Sequence, residues 1–186
     1  MHADAAAVLD FWFGDEPQAR PQWFRKDPAF DAQIGERFGT LIERTLGGAR
    51  FGDSPAERLA ALVVLDQFTR NVYRDTPRAF AGDAAALELA LGLCANGDDL
   101  ILPVWKRAFA YLPFEHAEDL ALQDRAVAAF EALAREQPQV DSMLDYAHRH
   151  REVIRRFGRF PHRNAILGRE STADELAFLE QPGSRF

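Results

Sequence analysis

Several features of secreted and membrane proteins are missing from this sequence. It contains one cysteine, Cys94, which excludes an internal disulfide and is typical of a reducing compartment. Its longest apolar run, residues 59–65, is far shorter than the about 20 residues of a membrane-spanning helix. The first residues carry no basic segment of the kind that opens a secretory signal. We therefore expect a cytoplasmic protein with no membrane partner.

The signatures of common enzyme classes are missing too. The sequence has no glycine-rich phosphate loop, no GxSxG nucleophile elbow, no CxxC pair and no HxxxH metal spacing. Its net charge of −7 argues against a nucleic-acid partner. We accordingly predict neither a cofactor nor a resident metal ion from these motifs.

What the sequence does contain is helical periodicity. No stretch alternates polar and apolar residues as a half-buried strand does, and apolar residues instead recur every three or four positions. The clearest helix begins at Asp27 and Pro28, as N-cap and first helical residue. Its apolar stripe comprises Phe30, Ile34, Phe38, Leu41, Ile42 and Thr45. The sequence predicts one all-α domain over residues 1–186, with about eight helices stacked as antiparallel hairpins. The fourth helix is predicted to run from Thr76–Pro77 through Ala79 to Cys94, and the sixth, from Glu115 to Glu136, to direct Leu120 inward. Thr172 and Glu175 predict a capping box at the start of the eighth.

The third predicted helix should be the central one. Ser54 and Glu57 form a capping box at its start, and the apolar run of residues 59–65 leaves it no polar face. Asp66 and Arg70 follow, four residues apart, which favours an ion pair between them. The simplest interpretation is a structural pair. The alternative is that both residues, with Asn71, belong to a polar site.

A second group of polar residues follows Pro113. Because proline disrupts a helix interior, the sequence predicts that one helix ends before it and that the next begins at Glu115. Glu115, His116 and Glu118 would then lie in a first turn, where the helix dipole stabilises carboxylates and disfavours a charged imidazole. Helix stabilisation alone explains the two acids. A neutral His116 beside them fits a general base or a metal ligand.

The seventh predicted helix carries two further histidines. We expect His148 and Arg156 to point inward, and we expect Arg149, His150 and Arg151 to lie on a solvated face. Because His148 and His150 do not face the same way, the spacing argues against a pair of metal ligands.

A basic segment follows that helix. Seven of the 22 basic residues lie between residues 149 and 169, together with one of the 29 acidic residues. Gly158 is suited to a left-handed helix cap and Pro161 cannot continue a helix, so a turn or loop is predicted here. Its multi-donor side chains are Arg159, His162, Arg163 and Asn164. They either hold a phosphate or carboxylate, or form a buried structural network in which these side chains hydrogen-bond loop carbonyls and Asp66.

Five segments taken together are distinctive: residues 8–13, 65–71, 78–80, 111–118 and 156–169. The most specific is the phrase FGRFPHRN at residues 157–164. In this order they resemble the bacterial family known as domain of unknown function 924. The resemblance implies an all-helical, tetratricopeptide-like fold and brings no established reaction. It also implies a set of recurring polar positions: Asp66, Arg70, Asn71, Glu115, His116, Glu118, His148, Arg156, His162, Arg163 and Asn164.

The first functional hypothesis is a polar pocket beside the central helix that binds a small anionic metabolite and acts on it by acid–base chemistry. His116 or His148 would be the acid or base, oriented by Asp66. The arginines that would hold the anion are Arg70, Arg159 and Arg163. The other lining residues would be Asn71, Glu115, Glu118, Arg156, His162 and Asn164.

The alternative hypothesis is a tetratricopeptide-like scaffold whose concave face binds a protein or peptide partner. Exposed aromatic residues would then carry the interaction: Trp12, Trp23, Phe24 and Trp105. A third interpretation places a transition metal on His116, His148 and His162.

Overall fold

The computed structural model describes residues 1–14 and 18–184. The chain forms two compact units, one of residues 1–74 and 78–113, the other of residues 75–77 and the chain from residue 114 onwards. Within the described residues the regular structure is helical and no strand occurs, so the predicted all-α fold is confirmed. None of the helices in these ranges combines the length and the apolarity needed to cross a membrane.

Side chains cap the starts of the first three helices of the first unit. The helices of this unit are α1 (Ala3–Phe13), α2 (Pro28–Leu46), α3 (Pro55–Val63), α4 (Thr69–Val72), α5 (Asp83–Ala95) and most of α6 (Val104–His116). A π-helical segment, Val64–Phe68, joins α3 to α4 without a break. Asp27 caps α2, and the stripe predicted for that helix is the set of its buried residues. The predicted capping box of Ser54 and Glu57 is also present.

Aromatic side chains fill the core of the first unit. Trp12 from α1, Phe68 from the π-helical segment and Phe109 from α6 are each almost fully buried. The Trp12 ring meets Phe68 and Phe109 edge-on, at centroid distances of 5.6 Å in both cases. This arrangement anchors the π-helical segment, and with it Asp66, at the centre of the unit.

The fourth helix was predicted to run from Thr76–Pro77 through Ala79 to Cys94, and that start is wrong. Pro77–Phe80 form a separate 3₁₀ turn and α5 begins at Asp83. The reason lies at Gly82, where a Cβ would overlap the backbone carbonyl of Leu65. The chain must turn there to let the two backbones touch, so the helix restarts after Gly82.

The second unit is built on two long helices, α7 (Leu120–Glu136) and α8 (Asp141–Phe157), which pack against each other. A short helix, α9 (Ala173–Leu179), follows after a 3₁₀ turn at Pro161–Arg163. Thr172 caps α9 in the predicted capping box, and Gly158 ends α8 in the predicted left-handed conformation. Leu120, predicted to point inward, is exposed because it is the first residue after the Asp119 cap.

The predicted break at Pro113 is wrong. α6 continues through Pro113 and ends at His116, because the packing of its neighbours, such as the fully buried Phe114, overrides the local preference of proline. Glu115 and His116 therefore lie in a last turn, where the helix dipole favours a protonated imidazole and not a neutral one. The acids have other roles: Asp119 caps α7, and Glu118 lies in the connection between the helices.

Candidate functional site

The predicted site residues fall in both units, and those of the first unit surround Asp66. The Asp66 side chain is 0% exposed and both of its oxygens receive donors. Oδ1 lies 3.1 Å from an Arg70 guanidinium nitrogen, and Oδ2 accepts from the Gln67 amide at 2.6 Å. The ion pair predicted from the spacing of Asp66 and Arg70 is thus present.

Arg70 is engaged on several sides. Its guanidinium grips the Asp83 carboxylate with two bonds, of 2.8 and 3.1 Å, and also donates to the Asp66 backbone carbonyl. Burial alone would lower the pKa of Arg70, but the charges of Asp66 and Asp83 outweigh it and raise that pKa. The guanidinium would have to leave these carboxylates in order to hold an external anion.

Asn71 belongs to a neighbouring pair of contacts. Its amide donates to Asp31 at 2.7 Å, and the Arg74 guanidinium holds the same carboxylate with bonds of 2.6 and 3.1 Å. These groups connect α2 to α4. The predicted polar residues of the first unit therefore form a network whose donors face carboxylates of the chain itself.

The second unit brings a different set of groups together at the end of α6. Glu115 is 3% exposed, and its Oε1 lies 3.0 Å from Nδ1 of His150, which is 5% exposed. The same Nδ1 lies 2.9 Å from the backbone carbonyl of Tyr146. Since both neighbours of Nδ1 are acceptors, Nδ1 carries a hydrogen, and the chemistry of proton gain and loss belongs to Nε2.

Phe160 joins this pair to the loop after α8. Its buried ring meets the His150 ring edge-on at 5.4 Å and lies 5.6 Å from the His162 ring. The Arg163 guanidinium stacks over it at 4.4 Å from the centroid. A single aromatic side chain thus gathers two imidazoles and a guanidinium around it.

We call this group the His150 cluster. Its members are Glu115, His116, His150, Phe160, His162 and Arg163. The His116 ring joins it 6.4 Å from the His150 ring. His116 and His162 are half-buried whereas the other members are buried, so the two outer imidazoles form its solvent-facing edge. The cluster brings together four of the residues predicted from the sequence.

A second set of contacts fixes the loop that carries the cluster. Glu118 accepts two bonds from Arg169, of 2.6 and 2.9 Å, and one from the Phe160 backbone amide at 2.8 Å. Burial raises the pKa of Glu118, but these hydrogen bonds outweigh it and the pKa lies below its ordinary value. Asn164 is fully buried and bonds Arg169 and Ser171. Glu118 and Asn164 therefore position the loop.

Arg159 holds the start of α9 in place. Its guanidinium makes two bonds to Glu175, of 2.7 and 2.8 Å, and one to the backbone carbonyl of Glu170. These bonds lower the pKa of Glu175 to about 2. Arg159 is thus engaged with its own chain in the same manner as Arg70.

Two orientations predicted for α8 are wrong. Arg156, predicted to point inward, is exposed with its guanidinium over the neighbouring Phe157 ring, and His150, predicted to be solvated, is buried. His148, also predicted to point inward, is half-buried and is not a member of the His150 cluster. The signal was present in the sequence: residues 143, 147, 150, 154 and 157 repeat at alternating steps of four and three, and His150 occupies the middle of that stripe.

Sequence reasoning also missed Gln123, a fully buried residue in the first turn of α7. Its amide nitrogen donates to the carbonyls of Glu115 and Ala117, at 2.6 and 2.8 Å, and so caps the end of α6. Gln123 lies in the stripe of buried residues that continues with Ala126 and Val127, which is the pattern that would have identified it.

The cluster is not a grouping of metal ligands. Within the described residues no three His, Cys, Asp or Glu side chains are grouped so as to hold a metal ion. Two surface depressions lie elsewhere, one near Glu131 and Asp141, the other near Arg20 and Phe24.

Comparison with known proteins gives a family and no activity. A family model described as a bacterial protein of unknown function, DUF924, matches residues 8–183. A solved structure of a protein of unknown function from Agrobacterium tumefaciens is 38% identical, with a TM-score of 0.77 over 95% of this chain and 96% of that chain. No curated protein matches the sequence.

Proposed function

Since the chain belongs to the bacterial family of unknown function DUF924, we propose a function from its geometry: the His150 cluster binds a small anionic molecule and transfers a proton to or from it. The observation that carries this proposal is the buried contact between Glu115 and His150. A carboxylate and an imidazole in an apolar interior are a costly way to hold helices together, and such groups concentrate at functional sites.

His150 is the acid–base group of the proposed site. Because Nδ1 donates to Glu115 and to the Tyr146 carbonyl, the ring is held in one tautomer and one orientation. Its Nε2 accepts a proton from the bound molecule, or from water, and returns it in the reverse step. Glu115 is the positioning residue, which fixes the imidazole and stabilises the imidazolium that forms. It takes the role that the sequence assigned to Asp66.

Cationic groups of the cluster hold the anion. Arg163 is always charged, and His116 lies at the C-terminal end of a helix, which favours its charged form. His162, 5.6 Å from Phe160, adds a third donor at the half-buried edge. We assign these three residues to anion binding because they belong to the same cluster as the buried contact between Glu115 and His150.

The test is a panel of small anions, including phosphate, sulfate and short carboxylates, measured by thermal unfolding of the full chain. An anion at 100 times its dissociation constant should stabilise the protein by about 2.7 kcal/mol. An Arg163→Ala variant should lose this stabilisation. Arg156→Ala is the matched control, since Arg156 is exposed outside the cluster.

The contrary outcome is equally clear. If no anion of the panel shifts the unfolding temperature, or if both variants respond as the unmodified protein does, the cluster is a structural network and the proposal fails.

A second candidate, a tetratricopeptide-like scaffold for a protein partner, has less support. Of the aromatic residues proposed to line its concave face, Trp12 and Trp105 are buried and Trp23 is half-buried. Phe24, 57% exposed, is the remaining one. One exposed ring is a small contact for a helical-repeat interface.

A further inference from the structure

Two buried oxygens of the second unit accept no hydrogen bond from the described residues. One is Oε2 of Glu115, whose other oxygen faces His150. The other is Oε1 of Gln123, whose amide nitrogen is committed to the carbonyls of Glu115 and Ala117. Those two bonds fix the orientation of the Gln123 amide. Exchanging its nitrogen and oxygen positions would place the oxygen against two carbonyl acceptors, so the unsatisfied atom is the oxygen.

The two residues belong to one structural junction. Gln123 caps the last turn of α6, and Glu115 lies in that turn with its carboxylate directed at α8. Glu115 is 3% exposed and Gln123 is 0% exposed. Buried acceptors are almost always satisfied, so two exceptions beside one titratable pair require an explanation.

We infer that the molecule bound by the His150 cluster carries a hydrogen-bond donor, a hydroxyl or an ammonium group, next to its anionic group, and that Glu115 accepts from it. The inference rests on the proposed function and narrows its ligand to the class of hydroxy or amino acids and hydroxylated phosphate esters. Gln123 supplies a second acceptor at the same junction.

The way in which buried acceptors select ligands supports a ligand with a hydroxyl or ammonium group. A site built to bond a substrate hydroxyl or amine rejects the analogue without it strongly, because the buried acceptor is then left unpaired. A carboxylate is the strongest acceptor available to a side chain. The anion-binding residues and Glu115 would thus contact opposite ends of one small molecule. The hydrogen bond to Glu115 would distinguish lactate, which has a hydroxyl, from propionate, which has none.

Three carboxylates of equal carbon number test the inference: propionate, lactate and alanine. A phosphate pair, propyl phosphate and glycerol 3-phosphate, covers the other anionic group. Calorimetric titration of the full chain should show the donor-bearing members of at least one series binding at least tenfold tighter than the member without a donor. The contrast between lactate and alanine identifies the donor as hydroxyl or ammonium.

A Glu115→Gln variant tests whether Glu115 causes the preference for ligands that carry a hydrogen-bond donor. Its amide can still face His150 with an oxygen, but it presents a donor where Oε2 stood, so the preference should fall below about threefold. Glu152→Gln, on the exposed face of α8, is the matched control and should keep the full preference. The comparison among ligands in the unmodified protein stands even if the Glu115 variant does not fold.

Each remaining outcome counts against the inference. Equal affinities within each series would overturn the inference but leave the proposed anion site intact. The two buried oxygens would then accept hydrogen bonds from water. A preference that survives in Glu115→Gln would assign the discrimination to other residues. If no compound of either series binds, the proposed function fails as well.

Discussion

Both units bury a carboxylate against a nitrogen-bearing side chain, but the two carboxylates differ in how their oxygens are hydrogen-bonded. In the first unit both oxygens of Asp66 receive donors, and its partner Arg70 also holds Asp83. In the second unit one oxygen of Glu115 faces His150 and the other receives no donor from the described residues. The difference separates a structural pair from a candidate site. Arginine is permanently charged, whereas histidine gains and loses a proton near neutral pH.

The largest expected effect lies in the first unit. An Arg70→Met variant leaves Asp66 and Asp83 without their guanidinium, and removal of one partner from a buried pair costs about 3–5 kcal/mol. Denaturant unfolding measures this loss. Arg151→Met is the control, because the contact of Arg151 with Asp124 is solvated and a surface pair contributes at most about 1 kcal/mol. Equal losses in the two variants would remove the structural role assigned to Arg70.

A second prediction concerns the backbone contact beside this network. A Gly82→Ala variant places a Cβ on the carbonyl oxygen of Leu65, in the π-helical segment that carries Asp66. Neither backbone can move without disturbing the core, so the variant should lose about 3 kcal/mol of unfolding free energy. In a Gly92→Ala variant the new Cβ meets nothing within 4 Å. That change should instead stabilise α5 by about 0.5 kcal/mol, measured by the same unfolding curves.

The sequence predicted best what depends on neighbours along the chain. The start of α2 and its buried stripe, and the Asp66–Arg70 pair, follow from cap chemistry and from spacings of three or four residues. The contact between Glu115 and His150 spans 35 positions and depends on the register between α6 and α8. No local rule predicts that register.

Two specific errors concealed the cluster. Proline at position 113 indicated a helix start where the structure has a helix end, which reversed the dipole argument for His116. His150 was assigned to the solvated face because the charged residues flanking it outweighed the four–three pattern of its own stripe. Core packing decided both cases, against the local preference of the residues.

A third prediction concerns the pH dependence of the stability that the ion pair between Glu175 and Arg159 contributes to the second unit. The two bonds from Arg159 hold the pKa of Glu175 at about 2, below that of the unfolded chain. A depressed pKa in the folded state adds stability above the unfolded pKa, and this stability is lost as the pH falls toward about 2. Glu175→Gln should therefore cost about 1.5 kcal/mol at pH 6 and almost nothing near pH 2. Unfolding of both proteins across this range measures the difference.

The control for that experiment is Glu180→Gln, at the exposed C-terminal end of α9. It should follow the unmodified protein at every pH. If the loss in Glu175→Gln were independent of pH, its cause would be packing and not the ion pair with Arg159.

A fourth prediction addresses the second unit directly. Replacement of Glu115 and His150 together by leucine removes both buried polar groups and leaves an apolar contact between α6 and α8. Replacing a buried polar or ionic pair in this manner is often neutral or stabilising, so the unfolding free energy should change by less than about 1 kcal/mol. Anion-induced stabilisation should disappear. The same replacement of Asp66 and Arg70 should destabilise the protein, because it strands Asp83. If both double variants behave alike, the two regions do not differ in role.

The smallest expected effect is at Arg156, which the family resemblance places among recurring polar positions. Its guanidinium is exposed and stacks on Phe157, the next residue of its own helix, so its contacts are local. Arg156→Ala should change the unfolding free energy by at most about 0.5 kcal/mol and leave anion binding unchanged. Arg163→Ala, in the 3₁₀ turn at Pro161–Arg163, should abolish that binding. A loss of binding in Arg156→Ala would extend the functional surface from the buried cluster to the exposed face of α8, where no buried carboxylate orients an imidazole.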